Sequence, residues 1–190
     1  MRHLPGALFF CSTVLVSSLL AQDASTNSYL QTNLTSDVSG LAAHTDPNLV
    51  NAWGIAFIGT GPWWVNSAGK GLSIIYQTNG TPVADFTIPP PSTGGPSVPT
   101  GIVSNSTSDF QLTAGHPALF LFATALGTIA GWNGGSSAVT QITTPNASYT
   151  GLTIAQIAGK NFLYAANFAN NSVDVFNASF QPISLGTGAF

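Results

Sequence analysis

The chain has 190 residues, and only 5% of them are charged, against about 25% in an ordinary soluble domain. Six Asp, no Glu and three Lys/Arg give a net charge of −3 at pH 7. That excludes binding driven by phosphate contacts, and with it a nucleic-acid partner. A hydrophobic content of 44% with so little charge excludes a disordered chain, and the length suits one domain with a sizeable core.

The chain opens as an export signal. Arg2 supplies a positive start, residues 7–20 are mostly apolar, and Ala21 is a suitable last residue before cleavage. The apolar run is shorter than the roughly 20 residues of a membrane span. Residues 1–21 are therefore expected to be a signal peptide, leaving a secreted or periplasmic protein with no membrane span. Cys11, the single cysteine, leaves with it, so no internal disulfide is expected.

Residues 22–50 form a polar lead-in, with "SYLQTNL" expected to supply an edge strand. Its densest polar cluster is "HTDPNLVN", which holds Asp46, Asn48 and Asn51. Asp and Asn oxygens suit a hard cation, so these three are candidate metal ligands, with calcium as the cofactor they would hold. The competing reading needs no metal: Asp46-Pro47-Asn48 is an Asx turn.

From residue 51 onward the chain repeats. Three units, about 51–90, 99–143 and 149–190, each open on Gly followed by an aliphatic residue: Gly54-Ile55, Gly101-Ile102 and Gly151-Leu152. A second burst follows in each ("WWVN", "FLFAT", "LYAAN"). The third ends in an aromatic ("LSIIY", "TIAGW", "VDVF"), and a weaker fourth comes last ("VADFTI", "AVTQI", "QPISL"). The bursts are rich in β-branched and aromatic residues, "SVDVFN" alternates, and turn residues separate them. Four short strands per unit at this spacing predict an all-β, β-propeller-like chain of about three four-stranded blades. "PPPSTGGPSVP" between the first two units is a loop, since its prolines cannot donate to a ladder.

The recurring aromatics Tyr76, Trp132 and Phe176 are expected to pack between neighbouring sheets. Trp63 and Trp64 are adjacent and point to opposite faces, so one of them belongs to a core. Ligands of propellers bind near the central channel, which makes repeat-equivalent polar residues candidates there. They are Thr100 and Thr150, which precede the first strand of their units, and Asn66, Thr124 and Asn167, which end the second. Capping of strand ends is the competing reading for all five. Three blades do not close a propeller, since four to eight is usual. Closing the ring then requires either further C-terminal blades of a longer protein or self-association.

The segments "YLQTNLTSDVSGLAAHTDPNLVNAWGIAF", "FLFATALGTIAGWN" and "LYAANFANNSVDVFNASFQPI" resemble a family of secreted, uncharacterised bacterial proteins. The resemblance covers nearly all of residues 29–190, and it implies a β-propeller about twice this length, of which this chain would be the N-terminal half. It implies no activity and no catalytic residues. No metalloprotease, phosphate-loop, nucleophile-elbow or paired-cysteine motif is present. The expected function is that of a non-catalytic, extracytoplasmic scaffold or recognition module, with a glycan or an extracellular protein as partner. The alternative is a metal-dependent propeller hydrolase or lyase whose remaining ligands lie in a missing second half.

Overall fold

A computed structural model describes residues 29–92 and 94–186. The signal peptide expected at 1–21 lies outside them. Every regular element among the described residues is a β-strand.

The lead-in does not form the strand expected over "SYLQTNL". Tyr29–Leu34 has no strand, and a short parallel ladder forms further on, between β1 (Thr35–Ser36) and β2 (His44–Thr45). The segment is held there by long-range contact: the Thr35 hydroxyl donates to the Gly80 carbonyl, 45 residues away, at 2.6 Å.

The first sheet is an antiparallel meander of β3 (Ala52–Ala56), β4 (Trp63–Ser67), β5 (Leu72–Tyr76) and β6 (Pro82–Thr87). The second begins with β7 (Pro99–Ser104). A small hairpin, β8 (Gln111–Thr113) and β9 (His116–Pro117), then interrupts it. It resumes with β10 (Phe120–Thr124), β11 (Thr128–Trp132) and β12 (Val139–Thr143). The third consists of β13 (Tyr149–Ile157), β14 (Lys160–Asn167), β15 (Ser172–Asn177) and the two-residue β16 (Pro182–Ile183). The first strands β3, β7 and β13 lie side by side, with β7 in the middle. None of the sheets is closed.

Alternation of side chains across each sheet makes two cores. Between the first and second sheets, Trp64 stacks on Phe120 at 4.1 Å and on Phe86 at 5.0 Å, and its ring lies 4.8 Å from that of Trp132. Ile102, Phe122 and Ala130 complete this layer. Between the second and third sheets, Leu121, Ala123 and Ile129 meet Tyr149, Leu163, Ala165 and Phe176. The second sheet is thus buried on both faces, which is why "FLFAT" is apolar without alternation. The β8–β9 insertion reaches the third sheet. Phe110 is fully buried against Phe180, with ring centroids 5.6 Å apart, and its backbone N–H donates to the Ala178 carbonyl at 2.9 Å.

Trp132 and Phe176 therefore pack between sheets. Tyr76 is buried too, but beneath the lead-in. Among the described residues only the two-residue ladder of β1 and β2 precedes the first four-stranded sheet, and its segment lies over Tyr76.

Candidate functional site

The cluster that the sequence offered as a cation site is assembled as a lock. Asp46 is almost fully buried. Its Oδ1 accepts the Asn48 backbone N–H at 2.9 Å, closing the Asx turn, and its Oδ2 accepts the Tyr76 hydroxyl at 2.6 Å. Asn48 turns outward, and its side-chain amide donates to Asp85 Oδ2 at 3.3 Å. Asn51 sits at φ 54, in the left-handed region that Asn tolerates, and its carbonyl accepts the Ala68 N–H at 3.2 Å. The Ser67 hydroxyl donates to the carbonyls of Asn48 and Val50 and accepts the Val50 N–H, tying the turn to β4. Among the described residues, no three His, Cys, Asp or Glu side chains gather into a group that could hold a metal ion.

Burial raises the Tyr76 hydroxyl well above its ordinary range, and the hydrogen bond to Asp46 and the charges of Asp46 and Asp85 raise it further. A second tyrosine behaves alike. Burial raises Tyr149 strongly, against the lowering effect of Thr144, and Asp174 adds to the rise. The Tyr149 hydroxyl donates to Asp174 Oδ2 at 2.8 Å, with Thr144 Oγ1 also at 2.8 Å.

Four of the five residues proposed for a channel are buried, and their side chains are engaged in hydrogen bonds within the fold. Asn66 donates from Nδ2 to the carbonyls of Thr100 (3.0 Å) and Gly101 (3.1 Å), crossing from the first sheet to the second. Thr100 continues the series: its hydroxyl reaches the Tyr149 carbonyl of the third sheet at 2.6 Å and the Ala123 carbonyl at 3.2 Å. Thr124 pairs with Thr128 at 2.7 Å and accepts the N–H groups of Leu126 and Thr128, closing the β10–β11 turn. Asn167 accepts the Ser148 N–H at 3.2 Å and donates to Asp174 Oδ2 at 2.9 Å. Thr150 is half-buried on the third sheet. The structure does not bring the five into one cavity. It strings Asn66, Thr100 and Tyr149 into a chain of bonds that staples three sheets together.

Two surface features went unread in the sequence. One is an aromatic face on the first sheet. Trp53, Ile55 and Phe57 are 50%, 59% and 45% exposed, and Phe57 lies edge-on to Trp63 at 4.5 Å. The other is an open groove of about 720 Å³ between the outer strands of the second and third sheets. Its walls include Gln141, Thr143, Asp174, Phe176 and Phe180. The exposed aromatics escaped notice because Trp and Phe in a strand burst read as core, and only the missing neighbour makes them surface.

No family model matches the chain. It is similar to two uncharacterised proteins of Acanthamoeba polyphaga mimivirus. One is 30% identical over 155 residues, covering 78% of this chain and 38% of that protein. The other is 31% identical over 158 residues, covering 78% and 41%. The chain thus spans about two fifths of the length of these relatives. Among solved structures it is similar to BBS1N, crystallised in complex with ARL6DN and soaked with lead, at 13% identity and a TM-score of 0.46, covering 65% of this chain and 37% of that one.

These findings correct the resemblance to a secreted bacterial family: the relatives found are viral and uncharacterised, and no bacterial family model is matched. The segments that carried it explain the error. "TDPNLVNAWGI" is a locked turn leading into β3, and "GTIAGWN" is the turn into β11 and that strand. Both report how the sheets are built and are silent about source.

Proposed function

We propose that this chain is a β-propeller-like, non-catalytic scaffold, its three sheets acting as three blades arranged around the adjoining first strands. The observation that carries the reading is the fate of the polar residues. Asn66, Thr100, Thr124 and Asn167, the buried amides and hydroxyls best placed for chemistry, are engaged in bonds within and between sheets. Such bonds make a stiff frame, in which the Asn66 amide nitrogen, though not its buried Oδ1, is engaged. The outer surface is then what such a frame presents, to a glycan or another protein. The metal-dependent hydrolase reading draws on Asp46, whose two oxygens are engaged in the lead-in lock.

The test is turnover. The purified chain is offered a lactone, a phosphate ester and a glycoside, with calcium added and again after chelation. A scaffold leaves all three at the buffer rate. Hydrolysis that calcium restores and a chelator removes overturns the reading.

A further inference from the structure

In two of the three sheets the polar residue that ends the second strand is satisfied by protein groups. In the second sheet, Thr124 pairs with Thr128 and accepts two backbone N–H groups. In the third, Asn167 Oδ1 accepts the Ser148 N–H and its Nδ2 donates to Asp174. The first sheet differs. Asn66, the counterpart of Thr124 and Asn167, donates from Nδ2 to the carbonyls of both Thr100 and Gly101. Two carbonyl acceptors fix which end of the amide is nitrogen, because a flipped amide would set oxygen against oxygen. Oδ1 therefore points away from both carbonyls, and no group among the described residues donates to it. Two hydroxyls share that condition, Ser73 Oγ and Ser97 Oγ. The three side chains are 0%, 0% and 2% exposed, so bulk water does not reach them.

All three lie on one stretch of the junction between the first and second sheets. Asn66 and Ser73 are direct partners in the β4–β5 ladder, so their side chains leave the same face. It is the face from which Trp64 stacks on Phe120 of the second sheet. Direct partners have Cβ atoms about 4.5–5.5 Å apart, a gap that one water spans with two hydrogen bonds of ordinary length. Ser97 comes from the proline-rich connector. Its Cβ lies 3.5 Å from the place a Cβ on Gly71 would take, two residues before Ser73. The next residue, Val98, accepts the Ala125 N–H at 2.9 Å. The connector is thus held between the two sheets, beside the point where Asn66 reaches residues 100 and 101.

We propose that a buried water site lies at this point, with Asn66 Oδ1, Ser73 Oγ and Ser97 Oγ as its shared ligands. The donor and acceptor set selects the occupant. Asn66 Oδ1 only accepts, so the occupant must donate, whereas the two hydroxyls donate or accept as required. Three uncharged oxygens bring nothing to offset the dehydration of a cation. Water both donates and accepts, and a buried water makes about three hydrogen bonds, the number offered here. Left dry, each oxygen would keep the full penalty of a buried, unbonded polar group. The water extends the staple of Asn66, Thr100 and Tyr149 to β5 and to the connector.

The test turns on a sign. With water in the site, Ser73→Ala and Ser97→Ala each remove one bond to it, and each should lower the melting temperature of the full chain by about 1–6 °C. With the site dry, each substitution removes an unbonded buried hydroxyl, and the melting temperature rises. The double variant tests whether the site is shared. Once one hydroxyl is gone the water is held less firmly, so the combined fall should be smaller than the sum of the two. A high-resolution crystal structure gives an independent readout: one solvent peak within about 3.2 Å of all three oxygens. A rise in either single variant, strictly additive falls, or a crystal structure without a peak shared by the three overturns the proposal. So does a peak at about 2.4 Å from them, the distance of a bound calcium ion.

Discussion

Removing the Tyr76 hydroxyl tests the lead-in lock directly. The Tyr76–Asp46 bond is 2.6 Å long, joins a neutral donor to a carboxylate, and is buried from both sides. Hydrogen bonds to charged groups contribute about 1.5–3 kcal/mol. Tyr76→Phe keeps the ring packing and leaves Asp46 Oδ2 without its donor, so a loss in that range is expected. The pH dependence carries a second, independent signature. Both Tyr76 and Tyr149 titrate above their ordinary value in the folded chain. The unfolded state therefore releases these protons first, starting near pH 10, and binds fewer protons than the native state above it. The stabilisation is fully present below about pH 10 and is lost as pH rises beyond it. Each such tyrosine makes the fall steeper by about 1.4 kcal/mol per pH unit. Urea unfolding followed by tryptophan fluorescence at pH 7, 10.5 and 11.5 measures both effects. The variant should be less stable at pH 7 and should lose stability less steeply at alkaline pH. Equal stability at pH 7, or an alkaline slope identical to that of the wild type, would refute the lock.

Three further outcomes are expected. Trp64→Ala empties the centre of the first inter-sheet core and should cost about 3–5 kcal/mol in urea unfolding; a change below about 1 kcal/mol would mean that the stacked cluster is not a core. Gly101→Ala forces a Cβ against the backbone of β13 and should cost about 1–3 kcal/mol, which a melting temperature at fixed concentration would register. Thr100→Val removes the hydroxyl that bridges the carbonyls of Ala123 and Tyr149 and should destabilise by about 1–3 kcal/mol, with no change in far-ultraviolet spectrum below the transition.

The four-strand units were legible because their signals are local. Bursts such as "LSIIY" and "SVDVFN" lie within β5 and β15, and the split between Trp63 and Trp64 follows from alternation alone: Trp64 enters the core, and Trp63 faces the other way beside Phe57. The partners of the polar residues were not legible. Asn66 bonds to residues 34 and 35 positions away, and Tyr76 to one 30 positions away. No spacing rule connects such pairs, because the packing of one sheet on the next brings them together. The strand expected in "SYLQTNL" failed for a related reason. Alternation describes what a strand could bury, and the neighbouring ladder decides whether it forms.

The order of strands also governs how the molecule comes into being. Nearly every hydrogen-bonded neighbour is the next strand in the chain, and the β8–β9 hairpin is the one detour between β7 and β10. Hairpins of this kind close in about 1–10 μs, because the loops are short and little chain entropy is lost. Each sheet can therefore assemble on its own, as soon as its own residues are available. The Trp64 cluster cannot, since it needs two finished sheets to meet. Docking of sheets, and not strand pairing, is then the slow step. Because the three sheets are built alike, the characteristic error is a well-made sheet seated against the wrong neighbour, the misassembly to which repetitive chains are prone.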